Sequence, residues 1–139
     1  MLVARRIVLG VTSFVFVAIA LASLLMPQTM ADPLGFKLDN VNAQNEFWAI
    51  YVGLWLAHAV VLGWAARRIE LLILGDVAGI LILGQVVGRI ASLPVHGLPE
   101  ADLWPAALAE IIGAGLILGL RPRGQANHEA PEAAAQPPK

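Results

Sequence analysis

Cysteine is absent from the 139 residues, and charge is scarce. Without cysteine there are no disulfides, no thiolate metal sites and no cysteine nucleophile. Only 14% of the residues are Asp, Glu, Lys or Arg, against about 25% in an average soluble domain. A soluble chain of this size has a large surface to cover, and this one lacks the charge to cover it. A soluble enzyme domain does not fit that balance. The basic residues form no run longer than two and the net charge is −1, so nucleic acid meets no electrostatic footprint. What is abundant is apolar: 58% of the chain, with a mean hydropathy of +0.74. The length suits one domain. The expectation is a small integral membrane protein.

Apolar runs and charges are segregated. The run Ile7 to Met26 holds no charge and is about the 20 residues needed to cross a bilayer core. Pro27 ends it. A polar, turn-rich stretch with Asp32, Pro33, Gly35, Asp39 and Asn40 follows. The next run, Phe47 to Ala66, contains His58 as its ionisable group and is closed by Arg67-Arg68. A third, from Ile69 to about Val87, carries Glu70 at its start and Asp76 inside. A loop from Gly88 to Asp102 precedes the fourth run, Leu103 to Leu120, which contains Glu110. These runs predict an all-α integral membrane four-helix bundle, with helices at about 7–26, 47–66, 69–87 and 103–120. Helices satisfy their own backbone in lipid. The ten-residue alternating segments of a β-barrel are not seen. The first run has signal-peptide features, but its length exceeds the usual 7–15 residues or so of a signal core. A retained helix is expected.

Lysine and arginine counts set orientation. Arg5, Arg6, Arg67, Arg68, Arg121 and Arg123 flank one side, and Lys37 and Arg89 the other. Both termini are expected to be cytoplasmic, in a bacterial inner membrane. Phe47, Trp48 and Trp104 fall at the outer interface and Trp64 at the inner one. Residues 124–139 are rich in Ala, Pro, Glu and Gln, and predict a disordered cytoplasmic tail.

Polar groups inside hydrocarbon are expensive and mark function or packing. At a rise of about 1.5 Å per residue, Glu110 lies about 10 Å below the outer face, while Glu46 and Arg89 lie near it. Gln85 is one helical turn from Arg89 and on the same side. Glu46, Gln85, Arg89 and Glu110 can therefore converge in the outer half, with Tyr51 nearby. His58 and Asp76 form a second, deeper pair, at matching depth about 10–12 Å from the inner face. Asp76 and Arg89 are about 220° apart around their helix at about 100° per residue, so they belong to different sites. Each group also has a structural reading: an ion pair that fixes packing, a protonated aspartate, a satisfied core histidine. No helix carries two metal ligands at adjacent turns, and Ser13, Ser23 and Ser92 lack a matched base. No metal, cofactor or catalytic residue is assigned. Spacings of four between glycines recur at Gly75 and Gly79, Gly84 and Gly88, and Gly115 and Gly119, and small residues let helices approach closely in lipid.

Residues 45–54 read Asn-Glu-Phe-Trp-Ala-Ile-Tyr-Val-Gly-Leu. Residues 83–99 contain Gly88-Arg89 with Ser92, Gly97 and Pro99, and Glu110 follows. This pattern resembles the bacterial four-helix membrane proteins of domain-of-unknown-function family 4345, over about residues 5–122. The family pattern is Asn-Glu-x-Arg-Ala-x-Tyr-Gly-Gly-Leu, then Gly-Arg-x-x-Ser with a following Gly-x-Pro, then a Glu in the last helix. Asn45, Glu46, Ala49, Tyr51, Gly53, Leu54, Gly88, Arg89, Ser92, Gly97, Pro99 and Glu110 match its signature positions. Trp48 stands where an Arg is usual, and Val52 replaces the first of two glycines. The resemblance implies the four-helix fold and an outer polar cluster, here with a single Arg. The shape is also similar, at fold level, to DoxX-like membrane proteins.

Three functions are compatible with the sequence. The first is a module that binds or carries a small amphiphile or lipid in an outer-half pocket made by Glu46, Tyr51, Gln85, Arg89 and Glu110. The second is a structural or accessory subunit, with membrane lipids, a second copy or another membrane protein as partner. The third is an intramembrane enzyme or proton-coupled transporter using Glu110 or the His58–Asp76 pair. A transporter usually needs more helices or an inverted repeat, and none is evident.

Overall fold

The computed structural model describes residues 1–99 and 101–122, and the expected tail at 124–139 lies outside them. The architecture is all-α, with no strand among the described residues. Helix α1 spans Leu2–Leu25. Helix α2 spans Val41–Arg67 and α3 spans Leu72–His96. All three are long and apolar enough to cross a membrane. Helix α4, Trp104–Gly119, is apolar but shorter, at 16 residues. The protein is thus an α-helical membrane protein.

Local chemistry explains the boundaries. α1 ends at Met26, before Pro27, which opens a short helical turn, Pro27–Ala31. Asn40 caps α2: its side chain accepts from the Ala43 N–H at 2.9 Å, satisfying one of the free donors of the first turn. α2 therefore starts six residues before the expected Phe47. A turn closed by Leu71 N–H to the Arg68 carbonyl (2.9 Å) separates α2 from α3. α3 starts at Leu72 and runs well past the expected Val87, to His96. Arg89, expected just beyond the helix end, lies inside it and pairs with a carboxylate from α4. Pro94 is tolerated near the end, and Gly97 supplies the positive φ of 81° at which the chain leaves.

Packing follows chain order. α1 lies along α2, α3 along α4, α2 against α3, and α4 touches α1. The core between them is built from Leu9 and Phe16 of α1, Ala59, Leu62 and Ala65 of α2, Ala78 and Ile82 of α3, and Ala114 and Ile117 of α4. Outward-facing leucines, isoleucines and valines remain exposed on every helix. Such a belt would be a liability in water and is expected against lipid.

Two glycines explain how closely α3 is approached. A Cβ on Gly79 would lie 2.9 Å from Leu118 side-chain atoms. A Cβ on Gly75 would lie 2.8 Å from an Arg5 guanidinium nitrogen. Added Cβ atoms at Gly84, Gly88, Gly115 and Gly119 meet nothing within 4 Å. Of the three glycine spacings in the sequence, Gly75 and Gly79 is the one that packing within this chain uses.

Candidate functional site

The expected outer cluster reduces to an ion pair between adjacent helices. Arg89 of α3 donates from Nε and Nη2 to the two carboxylate oxygens of Glu110 on α4, at 2.7 and 2.8 Å. This fork-to-fork geometry is the strongest form of a charge-assisted hydrogen bond. The two partners are unequally covered. Glu110 is 11% exposed at its side chain and Arg89 is 37% exposed. Ser92 donates to the Arg89 carbonyl at 2.7 Å, using the same turn of α3.

Cavities lie on both sides of the pair. One, of about 170 Å³, is lined by Val11, Thr12 and Phe16 of α1, Trp55 of α2, and Gln85 and Glu110. The other, of about 330 Å³, is lined by Arg89, Ile90, His96, Leu98, Trp104 and Ile111, among others. Both are walled mainly by apolar side chains. The carboxylate end of the pair borders the first cavity and the guanidinium end borders the second.

Helix α2 is irregular beside this site. Residues Trp48–Leu54 form a π-helical segment, a wide turn often found at functional sites. Tyr51 sits in its middle, half-buried, stacked on Phe47 with ring centroids 4.8 Å apart and tilted against Trp55 at 5.4 Å. Trp55 in turn meets Phe16 of α1 at 5.5 Å. The aromatic string carries the packing from the N-terminal part of α2 towards the middle of the bundle.

The structure brings Arg89 and Glu110 together and puts Gln85 at the same cavity as Glu110. Glu46 is elsewhere: it is exposed on the first turns of α2 and makes no ion pair among the described residues. His58 and Asp76 do not meet. His58 Nδ1 donates to the Leu54 carbonyl at 2.9 Å, and its ring stacks on Phe16 at 5.4 Å. That leaves Nε2 buried without a partner among the described residues. The rotation of α2 turns His58 towards α1 rather than towards Asp76.

Asp76 instead closes a three-charge cluster at the opposite end of the bundle. One carboxylate oxygen takes a hydrogen bond from Arg5 Nη2, and the other lies 2.8 Å from Arg121 Nε. Arg5 is fully buried. Its Nε also donates to the Ile117 carbonyl at 3.0 Å, one of the carbonyls near the end of α4 that the helix itself leaves open. The sequence places Arg5 among the flanking cations, so this role was missed. A signal was present: a carboxylate inside a span demands a countercharge, and Gly75 beside it leaves the space that the guanidinium fills.

The arrangement of helices, the Arg89–Glu110 pair and the flanking motifs can be compared with known proteins. The family described as Domain of unknown function (DUF4345) matches residues 4–120. The chain belongs to this family. Neither the curated proteins nor the solved structures contain a match to it. In this DUF4345 chain the matched segment takes in nearly all of the four helices, the Arg89–Glu110 pair, and Arg5 with Asp76, and stops one residue before Arg121. Arg89 and Glu110, two of the positions that carry the resemblance, form the ion pair, and Tyr51, a third, lies within electrostatic reach of both. Arg5 and Asp76 take no part in that motif.

Proposed function

We propose that the protein binds or carries a small amphiphile at the Arg89–Glu110 site. In this reading the polar end sits on the guanidinium and the apolar chain leaves between α3 and α4 into the bilayer. The supporting observation is the bidentate pair set between two apolar cavities, with the arginine the more open partner. A buried pair that served packing alone would be expected to be covered on both sides, since desolvated charges are stable only when fully satisfied. Two of the guanidinium nitrogens hold Glu110, so the third retains its donors for a ligand. A cavity of about 330 Å³ is at the lower end of the range for small-molecule sites, roughly 300–1,000 Å³.

The same proposal places the chain in a cell inner membrane with four crossings and both termini cytoplasmic. The Arg5, Arg67 and Arg121 ends then face the cytoplasm and the Arg89 cavity opens near the outer face. Mild-detergent native mass spectrometry tests the binding. The wild-type protein should carry lipid or amphiphile adducts. Arg89→Ala should lose them while remaining inserted. Identical adducts on both would refute the reading.

The alternative, an accessory subunit of a membrane complex, draws support from the Arg5–Asp76–Arg121 cluster, whose contacts tie three helices together and resemble a structural clasp. Crosslinking in native membranes separates the two, because a stoichiometric protein partner belongs to that reading. The contacts of His58 and Asp76 give no support to a proton relay between them.

A further inference from the structure

The Arg89–Glu110 pair is electrically neutral, and this constrains what can bind there. Adding an anion to a neutral site away from water creates a net buried charge, which desolvation penalises. A phosphate diester with its permanent charge carries that penalty. A neutral alcohol avoids it but gains only an ordinary hydrogen bond. One class of amphiphile escapes both limits. A carboxylic acid can enter without charge, and a carboxylate has the fork geometry that the guanidinium already recognises.

Resting on the amphiphile reading above, we propose that the ligand is a long-chain carboxylic acid that binds by carboxylate exchange on Arg89. The ligand's O–H bond breaks, and its carboxylate takes the Nε and Nη2 donors now held by Glu110. The proton passes to Glu110, which becomes a neutral carboxylic acid. Charge is the same before and after: one guanidinium, one carboxylate, one protonated acid. The cavities are disposed for this exchange. The incoming head reaches Arg89 from the 330 Å³ cavity, walled by Ile90, Leu98, Trp104 and Ile111. The displaced Glu110 side chain already borders the 170 Å³ cavity, where the Gln85 amide can hydrogen-bond a protonated carboxyl. The groups facing Glu110 are few. Arg89 comes from α3 and Tyr51 from α2, while α1 presents Val11, Thr12 and Phe16, none of which titrates. His96 borders the outer cavity and is the remaining titratable group there among the described residues.

The exchange predicts a proton linkage. Above the ligand's own ionisation the bound state holds one proton more than free protein plus free carboxylate, so affinity should fall about tenfold per pH unit. Trp104 on the cavity wall provides the readout. The full-length protein in detergent is titrated with brominated octadecanoic acid, brominated octadecanol or a phosphatidylcholine with brominated chains. Quenching of Trp104 is isolated by difference from Trp104→Phe, and the specific part is the component lost in Arg89→Gln. The expected result is specific quenching by the acid, with the pH slope above, and a flat pH profile in Glu110→Gln, which cannot take the proton. If Glu110→Gln does not fold, the wild-type slope decides alone, and a flat slope overturns the exchange. Specific quenching by the alcohol or the phosphatidylcholine equal to that by the acid overturns the ligand class and leaves the amphiphile site standing. No Arg89-dependent quenching by any of the three overturns both.

Discussion

Removing the carboxylate of Asp76 should be among the most damaging single changes in this protein. The side chain serves two arginines of unequal burial. Arg5 has a fully buried side chain, whereas that of Arg121 is 50% exposed. In Asp76→Asn the shape is nearly kept, but Arg5 is left as a charge inside the bundle with no countercharge, facing only neutral oxygens: the Ile117 and Leu72 carbonyls and the new amide oxygen. Breaking a buried pair by neutralising one member costs about 3–5 kcal/mol. The Arg121 contact is worth far less, because exposed pairs contribute about 0–1 kcal/mol. Arg121→Gln should therefore stay below about 1 kcal/mol and Asp76→Asn should exceed it several-fold. Reversible unfolding in mixed micelles of increasing SDS fraction, followed by tryptophan fluorescence, measures both. The double change Arg5→Met with Asp76→Leu should recover most of the loss, since an apolar pair of similar volume replaces a buried ion pair at little penalty. A loss of less than about 1 kcal/mol for Asp76→Asn, the range of exposed pairs, would refute the claim that Arg5 depends on this carboxylate.

Three further outcomes follow from the packing. Gly79→Val should destabilise by about 1–3 kcal/mol through overlap with Leu118, while Gly84→Ala and Gly88→Ala should be neutral in the same assay. If all three behave alike, the close approach of α4 to α3 is not where it is drawn. His58→Phe should cost less than about 1 kcal/mol, because it keeps the stack on Phe16 and removes a buried nitrogen without a partner. A larger loss, seen as a lowered unfolding temperature, would mean that His58 holds a polar contact. Asn40→Ala should cost about 1 kcal/mol and raise amide exchange in the first turn of α2, whereas Asn40→Asp should be tolerated. Unchanged exchange would remove the capping role.

Several elements were legible because they depend on composition over twenty residues. The apolar runs marked α1, α2 and α3, and the polar punctuation marked the loops. The meeting of Arg89 with a carboxylate was legible only in part. The sequence brings Glu46, Gln85, Arg89 and Glu110 to one region; depth favours Glu46 as the partner, and the packing of α3 on α4 selects Glu110 instead. Asp76 failed the same reasoning. His58 shares its depth, but depth says nothing about rotation, and α2 contains a π segment between Trp48 and Leu54 that shifts the phase of everything after it. Nor can a terminal arginine that anchors at the membrane surface be told from one that folds back inward by its position. Arg5 and Arg6 are neighbours in sequence, yet the first is buried and the second exposed. Only the third dimension, through Gly75 and Asp76, separates them.

The buried Arg5 also bears on how the protein is made. Arg5 is separated from Asp76 by 71 residues and from Ile117 by 112. At about 5–20 residues per second of synthesis, the carboxylate arrives roughly 4–14 seconds after the arginine, and its carbonyl partner in α4 later still. During that interval α1 carries a cation with no mate, which favours keeping its end at the lipid–water boundary rather than settling it within the bundle. The final seating of α1 is then a late event, triggered by the emergence of α3 and α4 rather than by the hydrophobicity of α1 itself. Helix α1, made before its three partners, would be among the last of the four to lock.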